Sequence, residues 1–197
     1  MLIKINKKIV LGILLITLLF SSTITAEELN IGQKKIKTPA GWEIINQKNK
    51  TDYYKNHPFL EKINNFNFVL LKTKNQKEFK KAKQNDKTKA SLKNYPAYVV
   101  IKSGSFQNNN INKVLSQPIN QMKKQVKATY DNAKFTQDTN INLKNKNQKG
   151  HILNYRVGYM EFKNLFYVEN NKLIAVLATN TINQTAKAEI EKIYDQL

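Results

Sequence analysis

Side chains suited to catalysis or metal binding are sparse in this chain. Its 197 residues include no cysteine and two histidines, His57 and His151, which lie far apart in the sequence. A structural or catalytic zinc site needs three or four nitrogen, sulfur or oxygen ligands. Because two distant histidines supply too few, we expect no metal site and no bound cofactor.

The serines give no stronger signal for a nucleophile. After residue 26 they are Ser91, Ser103, Ser105 and Ser116, and none lies in a Gly-x-Ser-x-Gly sequence, the turn that exposes the nucleophile in many hydrolases. Asp and Glu residues could be paired for glycoside cleavage, but almost any protein offers such pairs. The sequence therefore favours a non-enzymatic protein, and an extracytoplasmic hydrolase with an unrecognised active site is the alternative interpretation.

Lysine dominates the charge of the molecule. The chain has 33 Lys and Arg against 14 Asp and Glu, a formal net charge of +19. After residue 26, 30 basic and 14 acidic side chains remain, a net charge of +16. Such an excess attracts anionic surfaces without selecting a particular one. The competing explanation is compositional, because an AT-rich coding sequence also yields many Lys, Asn and Ile residues.

Two groups of lysines and one arginine are the candidates for binding an anion or a partner. The range 73–91 has seven lysines against Glu78 and Asp86, and we interpret it as a surface excursion of the domain. Arg156 is the only arginine, and its planar fork suits bidentate contacts that lysine cannot make. We expect an internal salt bridge there, with a functional anion site as the second interpretation. The candidate contacts are Lys80, Lys81, Lys123, Lys124, Lys127 and Arg156.

Aromatic side chains are concentrated just after the first predicted hairpin. Trp42, Tyr53, Tyr54 and Phe59 occur within 18 residues. Core packing is the simpler interpretation, since aromatic rings chiefly bury apolar area. The alternative is an exposed aromatic rim, formed by Trp42, Tyr53 and Tyr54, beside the basic surface.

The N-terminus has the pattern of an export signal. Lys4, Lys7 and Lys8 precede the apolar run 9–20, and small residues lead to Ala26. This order is typical of a cleaved secretory signal peptide. The run of 12 residues would span about 18 Å as a helix, against about 30 Å of bilayer hydrocarbon. We therefore predict a signal peptide over 1–26 and a single periplasmic or secreted domain over 27–197, without a transmembrane segment.

Hydrophobic periodicity in the predicted domain indicates strands and helices in an α+β arrangement. Alternating or apolar runs predict strands, and apolar residues at steps of three and four predict helices. The predicted strands are 31–37, 42–46, 66–72, 97–102, 139–144, 152–160, 165–168 and 173–178. The predicted helices are 59–63, 117–131 and a final one that begins near 183 and ends at 197. Consecutive strands joined by tight turns form antiparallel sheets, so we expect one such sheet sandwiched by the helices.

The chain resembles the Mog1/PsbP-like family. The features that match are an opening hairpin with Pro39-Ala40-Gly41-Trp42, the amphipathic helix 117–131, and a closing order of strand, hairpin 163–179 and terminal helix. The resemblance implies a central antiparallel sheet between helices. It also implies a mostly non-enzymatic accessory or binding role. With the basic charge and the export signal, we therefore expect an envelope protein that contacts a protein partner or an anionic lipid or polysaccharide surface. The long range 73–91 departs from that pattern.

The export prediction can be tested on protein recovered from its native cell. N-terminal sequencing should begin at Glu27, because small residues precede the acidic pair Glu27-Glu28. Mature protein that still begins at Met1 would contradict cleavage.

Overall fold

The computed structural model describes residues 28–54, 63, 65–72, 97–107, 110–143, 148–181 and 184–197. Within them the strands are β1 (Glu28–Ile31), β2 (Lys34–Lys37), β3 (Trp42–Asn46), β4 (Phe68–Lys72), β5 (Tyr98–Ser105), β6 (Lys134–Leu143), β7 (Gln148–Val157), β8 (Met160–Glu169) and β9 (Lys172–Thr181). The helices are α1 (Lys50–Tyr54), α2 (Ile111–Thr129) and α3 (Gln184–Tyr194).

Seven of these strands form one antiparallel sheet in the order β3-β4-β5-β9-β8-β7-β6. The strands β1 and β2 form a separate hairpin. The last strand, β9, lies between β5 and β8 and so joins the first half of the open sheet to the second. The predicted α+β class with a mainly antiparallel sheet is confirmed.

Side-chain alternation gives the sheet two apolar faces. On β9, Ile174 and Val176 pack with the terminal helix, whereas Ala175 faces the opposite way. On the first face, here called the α3 face, α3 and the β1–β2 hairpin cover the largest core cluster. On the second, the α2 face, Leu115 and Ile119 of α2 pack on Leu153 and Phe166 of the sheet. Each helix therefore supplies the apolar cover that a two-sided sheet needs.

The start of the domain differs from the prediction of one strand over 31–37. Gly32 has a φ of +62° and turns the chain between β1 and β2, a conformation that glycine adopts without a Cβ penalty. The hairpin places Ile31 and Ile36 in the core. The apolar residues were identified, but their alternation did not show the turn.

The helix α2 begins at Ile111, six residues before the predicted start at 117. The side chain of Asn110 accepts a hydrogen bond of 3.1 Å from the Lys113 N–H, so Asn110 is the N-cap. Pro118 consequently lies inside the helix rather than in its first turn. The predicted start was too late because the capping side chain of Asn110, which lies outside the apolar repeat, decides where the helix begins.

Several other boundaries move by a few residues. β5 continues through Ser103-Gly104-Ser105, which was expected to end it, because this segment pairs with 172–174 of β9. β6 begins five residues earlier than predicted, and β7 already includes 148–150, where a turn was expected. The predicted helix 59–63 and the range 73–91 lie essentially outside the described residues.

The closing hairpin and terminal helix agree with the sequence interpretation. Asn170 and Asn171 have φ values of 49° and 57° in the two-residue turn, the conformation of a type I′ hairpin. Glu169 and Lys172 lie opposite each other at the ends of β8 and β9. The Glu169 carboxylate, however, is buried and accepts hydrogen bonds from the Gln33 N–H at 2.9 Å and the Gln148 side chain at 3.0 Å. It therefore ties the β1–β2 turn to the main sheet.

Because Glu169 holds the β1–β2 turn by these hydrogen bonds, the stability of the fold is sensitive to substitution of Gly32. A Cβ at Gly32 would lie 1.8 Å from Glu169 Oε2, so Gly32→Ala must displace the buried carboxylate as well as strain the backbone. We expect it to lower the free energy of unfolding by about 2–4 kcal/mol, combining left-handed backbone strain with a lost buried hydrogen bond. Urea unfolding of the variant and of wild type measures this loss in the free energy of unfolding.

Two glycines serve as controls for the Gly32 variant. Gly41 has a positive φ but open space around it, so Gly41→Ala should cost about 1–2 kcal/mol from the backbone alone. Gly104 has neither constraint, and Gly104→Ala should be nearly neutral. Equal losses in all three variants would contradict the role assigned to Glu169.

Candidate functional site

The helix α2 carries the largest net positive charge of the described helices and strands. Its 19 residues contain four lysines and no Asp or Glu. Lys113, Lys124 and Lys127 are exposed, and steps of 11 and 3 residues place them on one stripe of a helix with 3.6 residues per turn. We call these three residues the α2 lysine stripe. They form no ion pair with any carboxylate in the described part of the chain.

The fourth lysine of α2 is already engaged. Lys123 forms an ion pair with Asp138 of β6. Asp138 Oδ1 also lies 2.8 Å from His151 Nε2, and His151 Nδ1 lies 2.8 Å from Asn140 Oδ1. The network links α2 to the β6–β7 hairpin. Lys123, which the sequence grouped with Lys124 and Lys127, therefore contributes to the docking of the helix.

The network lowers the pKa of the Asp138 carboxyl group. The largest cause is the hydrogen bond from Lys123, and the contact with His151 acts in the same direction. Partial desolvation opposes both but does not outweigh them. The carboxylate form is thus the one that holds α2.

A cleft of about 290 Å³ beside this network brings Ser116 near His151 and Asp138. A hydrolytic triad would need the serine hydroxyl to donate to the imidazole. Ser116 Oγ instead donates to the Lys113 carbonyl at 3.2 Å, and both imidazole nitrogens already contact Asp138 and Asn140. The residue types of a hydrolase are present here without its geometry.

The remaining ion pairs use acidic side chains on the α3 face. Glu189 of α3 binds Lys72 at 2.5 Å and accepts from the Trp42 indole at 2.8 Å. Glu191 of α3 pairs with Lys163 of β8. The acids of α3 are therefore neutralised inside the fold, while the α2 lysine stripe is not.

Arg156 forms the internal salt bridge that its residue type suggested. It pairs with Glu161, the residue opposite it on β8. The Arg156 side chain is 53% exposed and that of Glu161 17% exposed. Both lie on the α3 face, across the sheet from α2, so Arg156 and the α2 lysines do not form one continuous basic surface.

The residues proposed for an aromatic rim are separated by burial. Trp42 is 4% exposed and belongs to the core of the α3 face, where its ring cannot form part of a rim. Tyr53 is half-buried against the cluster around Ile45 and hydrogen-bonds Glu43, whose pKa is raised by burial. The side chain of Tyr54, like Lys80 and Lys81, lies outside the described residues.

Among the described residues, no group of three or more His, Cys, Asp or Glu side chains could hold a metal ion. In the same part of the chain, none of the helices has the length and apolar character needed to cross a bilayer.

Comparison with known proteins identifies the fold. No protein-family model and no curated protein matches the chain. The cyanobacterial PsbP protein of Synechocystis, CyanoP, superposes with a TM-score of 0.53 at 11% identity, over 90% of this chain and 94% of its own. The chain has a PsbP-like fold. A Pseudomonas aeruginosa protein of unknown function aligns with a TM-score of 0.42 at 9% identity, over 88% of this chain and 96% of its own.

An identity of 11% establishes the fold and nothing finer. The resemblance is confirmed at that level, with the middle helix and the closing hairpin present. The expected opening hairpin across Pro39-Ala40-Gly41-Trp42 is wrong, because β2 pairs with β1 and β3 pairs with β4 in the main sheet. Membership of the Mog1/PsbP-like family stays a prediction.

The lowered pKa of Asp138 gives a pH dependence that can be measured. A depressed pKa in the folded state means that the unfolded chain binds the proton more readily, so the contribution is complete above about pH 4 and is lost as pH falls further. Relative to wild type, Asp138→Asn should lose up to about 1 kcal/mol at pH 6, since the pair is partly exposed. The difference between the two proteins should be smaller at pH 2 than at pH 6, because more of the Asp138 carboxyl group is protonated at the lower pH.

Asp131→Asn is the matched control, because Asp131 is exposed and forms no ion pair with a described residue. Measured by urea unfolding, the difference in the free energy of unfolding between Asp131→Asn and wild type should be the same at pH 6 and at pH 2. If the Asp138→Asn difference were also independent of pH, the Lys123–Asp138 pair would not stabilise the fold.

Proposed function

We propose that this protein is a non-enzymatic, exported accessory protein of the cell envelope that binds anionic surfaces through the α2 lysine stripe. The observation that carries the proposal is the charge of α2: three exposed lysines on one stripe of a helix without any acidic residue. The described acids that form ion pairs are held by other cations. The stripe is therefore left to attract an external anion.

The use of lysine rather than arginine on α2 favours binding to an extended anionic surface over binding of one anion in a shaped site. Lysine is a compact, hydrated point charge on a flexible stem, and it lacks the fork with which arginine recognises a single phosphate or carboxylate. A row of lysines spaced along a helix suits a surface with many distributed negative charges, such as anionic lipid headgroups. Lys80 and Lys81 would add to this attraction if they lie nearby, as the sequence predicts.

The contact would be electrostatic and peripheral. The apolar side of α2, with Leu115, Ile119 and Val126, is buried in the fold, so it is not available to insert into a bilayer as a free amphipathic helix would. Exposed large apolar side chains in the described residues are Ile111, Tyr130 and Tyr159. These are too few for an assembly subunit that depends on an apolar interface.

Export supports the same proposal. The predicted signal peptide over 1–26 would place the basic domain where the outer leaflet of a membrane and acidic polysaccharides are available. The Ser116–His151–Asp138 set does not favour the hydrolase alternative, because Ser116 Oγ donates to the Lys113 carbonyl and the His151 ring nitrogens contact Asn140 and Asp138.

Sedimentation with lipid vesicles tests the proposal. Mature protein should bind vesicles containing phosphatidylglycerol and not pure phosphatidylcholine. Neutralising two stripe residues, Lys124→Gln with Lys127→Gln, should weaken binding on the order of 10- to 30-fold at low salt, from about 1 kcal/mol per lysine near an anionic surface. Raising the salt to 0.5 M should abolish binding, because the charges are screened.

A matched control distinguishes the stripe from net charge. Lys35→Gln with Lys37→Gln removes the same charge from exposed positions of β2, on the α3 side of the sheet. This variant should bind within about threefold of wild type. Equal weakening by both double variants, or binding that survives high salt, would refute the assignment to α2.

A further inference from the structure

A polar groove lies on the α3 face, across the sheet from the α2 lysine stripe. Its volume is about 200 Å³, and strands β6 to β9 form its floor with α3 along one side. The polar residues that matter for its chemistry are Arg156, Glu161, Lys163, Asn180, Lys187 and Glu191. We call this the Arg156 groove.

The charges in the groove do not cancel. Three cations and two carboxylates line it. Arg156 pairs with Glu161, and Lys163 pairs with Glu191. Lys187 is exposed on α3 and forms no ion pair with a described residue. The groove thus has one uncompensated positive charge, which matches a single anionic group.

Arg156 can bind more than the carboxylate it already holds. A guanidinium group carries five N–H donors in a fixed plane, and the Arg156 side chain is about half exposed in the groove. Pairing with Glu161 across the two strands fixes its orientation. A planar donor group held in one orientation is suited to bind the carboxylate of a ligand through two N–H donors.

Asn180 supplies an independent sign of a ligand. The residue is 6% exposed and its Oδ1 atom is buried, yet this atom accepts no hydrogen bond from a described residue. Buried polar atoms are nearly always paired, and an unpaired one costs free energy. Because Asn180 lines the groove, a ligand with an N–H or O–H group could reach it as a donor.

We infer that the Arg156 groove binds a small carboxylate that carries an N–H or O–H donor next to its carboxyl group. The carboxylate contacts Arg156 and Lys187, and the donor contacts Asn180 Oδ1. The volume of about 200 Å³ is far more than a single water molecule needs. This admits a free hydroxy or amino acid, or the C-terminal residue of a peptide.

Nuclear magnetic resonance titration of the mature protein tests this with defined probes. Glycolate has both groups, acetate lacks the donor, and glycolamide lacks the carboxylate. We expect saturable shifts at Arg156 and Asn180 with glycolate, at least tenfold weaker binding of acetate, and no saturation with glycolamide. Equal binding of glycolate and acetate, shifts elsewhere, or no saturation by glycolate at tens of millimolar would overturn the inference.

Variants assign the two contacts. Arg156→Lys keeps the charge at an exposed position and should weaken glycolate binding about tenfold, because the planar fork is lost. Asn180→Leu should remove the preference for glycolate over acetate. Lys149→Gln, an exposed lysine at the other end of β7, is the control and should bind glycolate as wild type does. Unchanged binding by folded Arg156→Lys would by itself refute the inference, even if Asn180→Leu did not fold.

Two peptide probes identify the source of the carboxylate. Glycylglycine that binds more tightly than glycolate, while its C-terminal amide does not bind, would indicate a peptide C-terminus. Glycolate that binds as tightly as glycylglycine, or more tightly, would indicate a free small acid. Binding of the amide as tightly as the free dipeptide would contradict a carboxylate site.

Discussion

The fold depends on attaching two helices to opposite faces of one sheet without covalent help. The chain has no cysteine, so apolar packing must hold the layers, and ion pairs between helix and strand add to it. Lys123 of α2 pairs with Asp138 of β6, and Glu189 and Glu191 of α3 pair with Lys72 and Lys163. Each helix thereby gains a charged contact with the strands beneath it.

These contacts are unequal in strength, and the difference fits the roles of the helices. Lys72 and Glu189 are 6% and 22% exposed, whereas Lys123 and Asp138 are 32% and 37% exposed. Losing one partner of a buried pair leaves an uncompensated charge, which costs far more than breaking an exposed pair. The better buried Lys72–Glu189 pair fixes α3 on the main core, while the second α3 pair, Lys163–Glu191, is about as exposed as the pair on α2. The helix α2 has no buried ion pair and carries the exposed positive charge.

The placement of acids explains the surface better than their number does. A net charge of +19 is a property of the whole composition, but internal pairing decides which cations remain for a partner. Glu161 and Glu191 neutralise Arg156 and Lys163 within the Arg156 groove. No comparable acid lies on α2. One protein thus presents a diffuse basic stripe on one face and, on the other, a small polar groove with one unpaired cation.

Sequence periodicity was sufficient for the sheet, the terminal helix and the inward side chains Ala186, Ile190 and Ile193, because burial in a layered fold follows local repeats. It also placed Lys124 and Lys127 outside. It could not show that Lys123 is paired, since Asp138 reaches it only after β6 packs beside α2. The contact of His151 with Asn140 depends on strand register. The lack of a hydrogen-bond donor to Asn180 Oδ1 depends on packing between the layers. Such contacts arise from tertiary structure and leave no local pattern.

We propose that α2 is the surface through which this protein binds anionic membranes. Paramagnetic relaxation from spin-labelled lipid, in nanodiscs that contain phosphatidylglycerol, tests it directly by measuring the distance of each amide from the membrane. The account predicts the strongest broadening along α2 from Lys113 to Lys127, with α3 and the β1–β2 hairpin unaffected. Broadening centred on α3, or spread evenly over the domain, would contradict it.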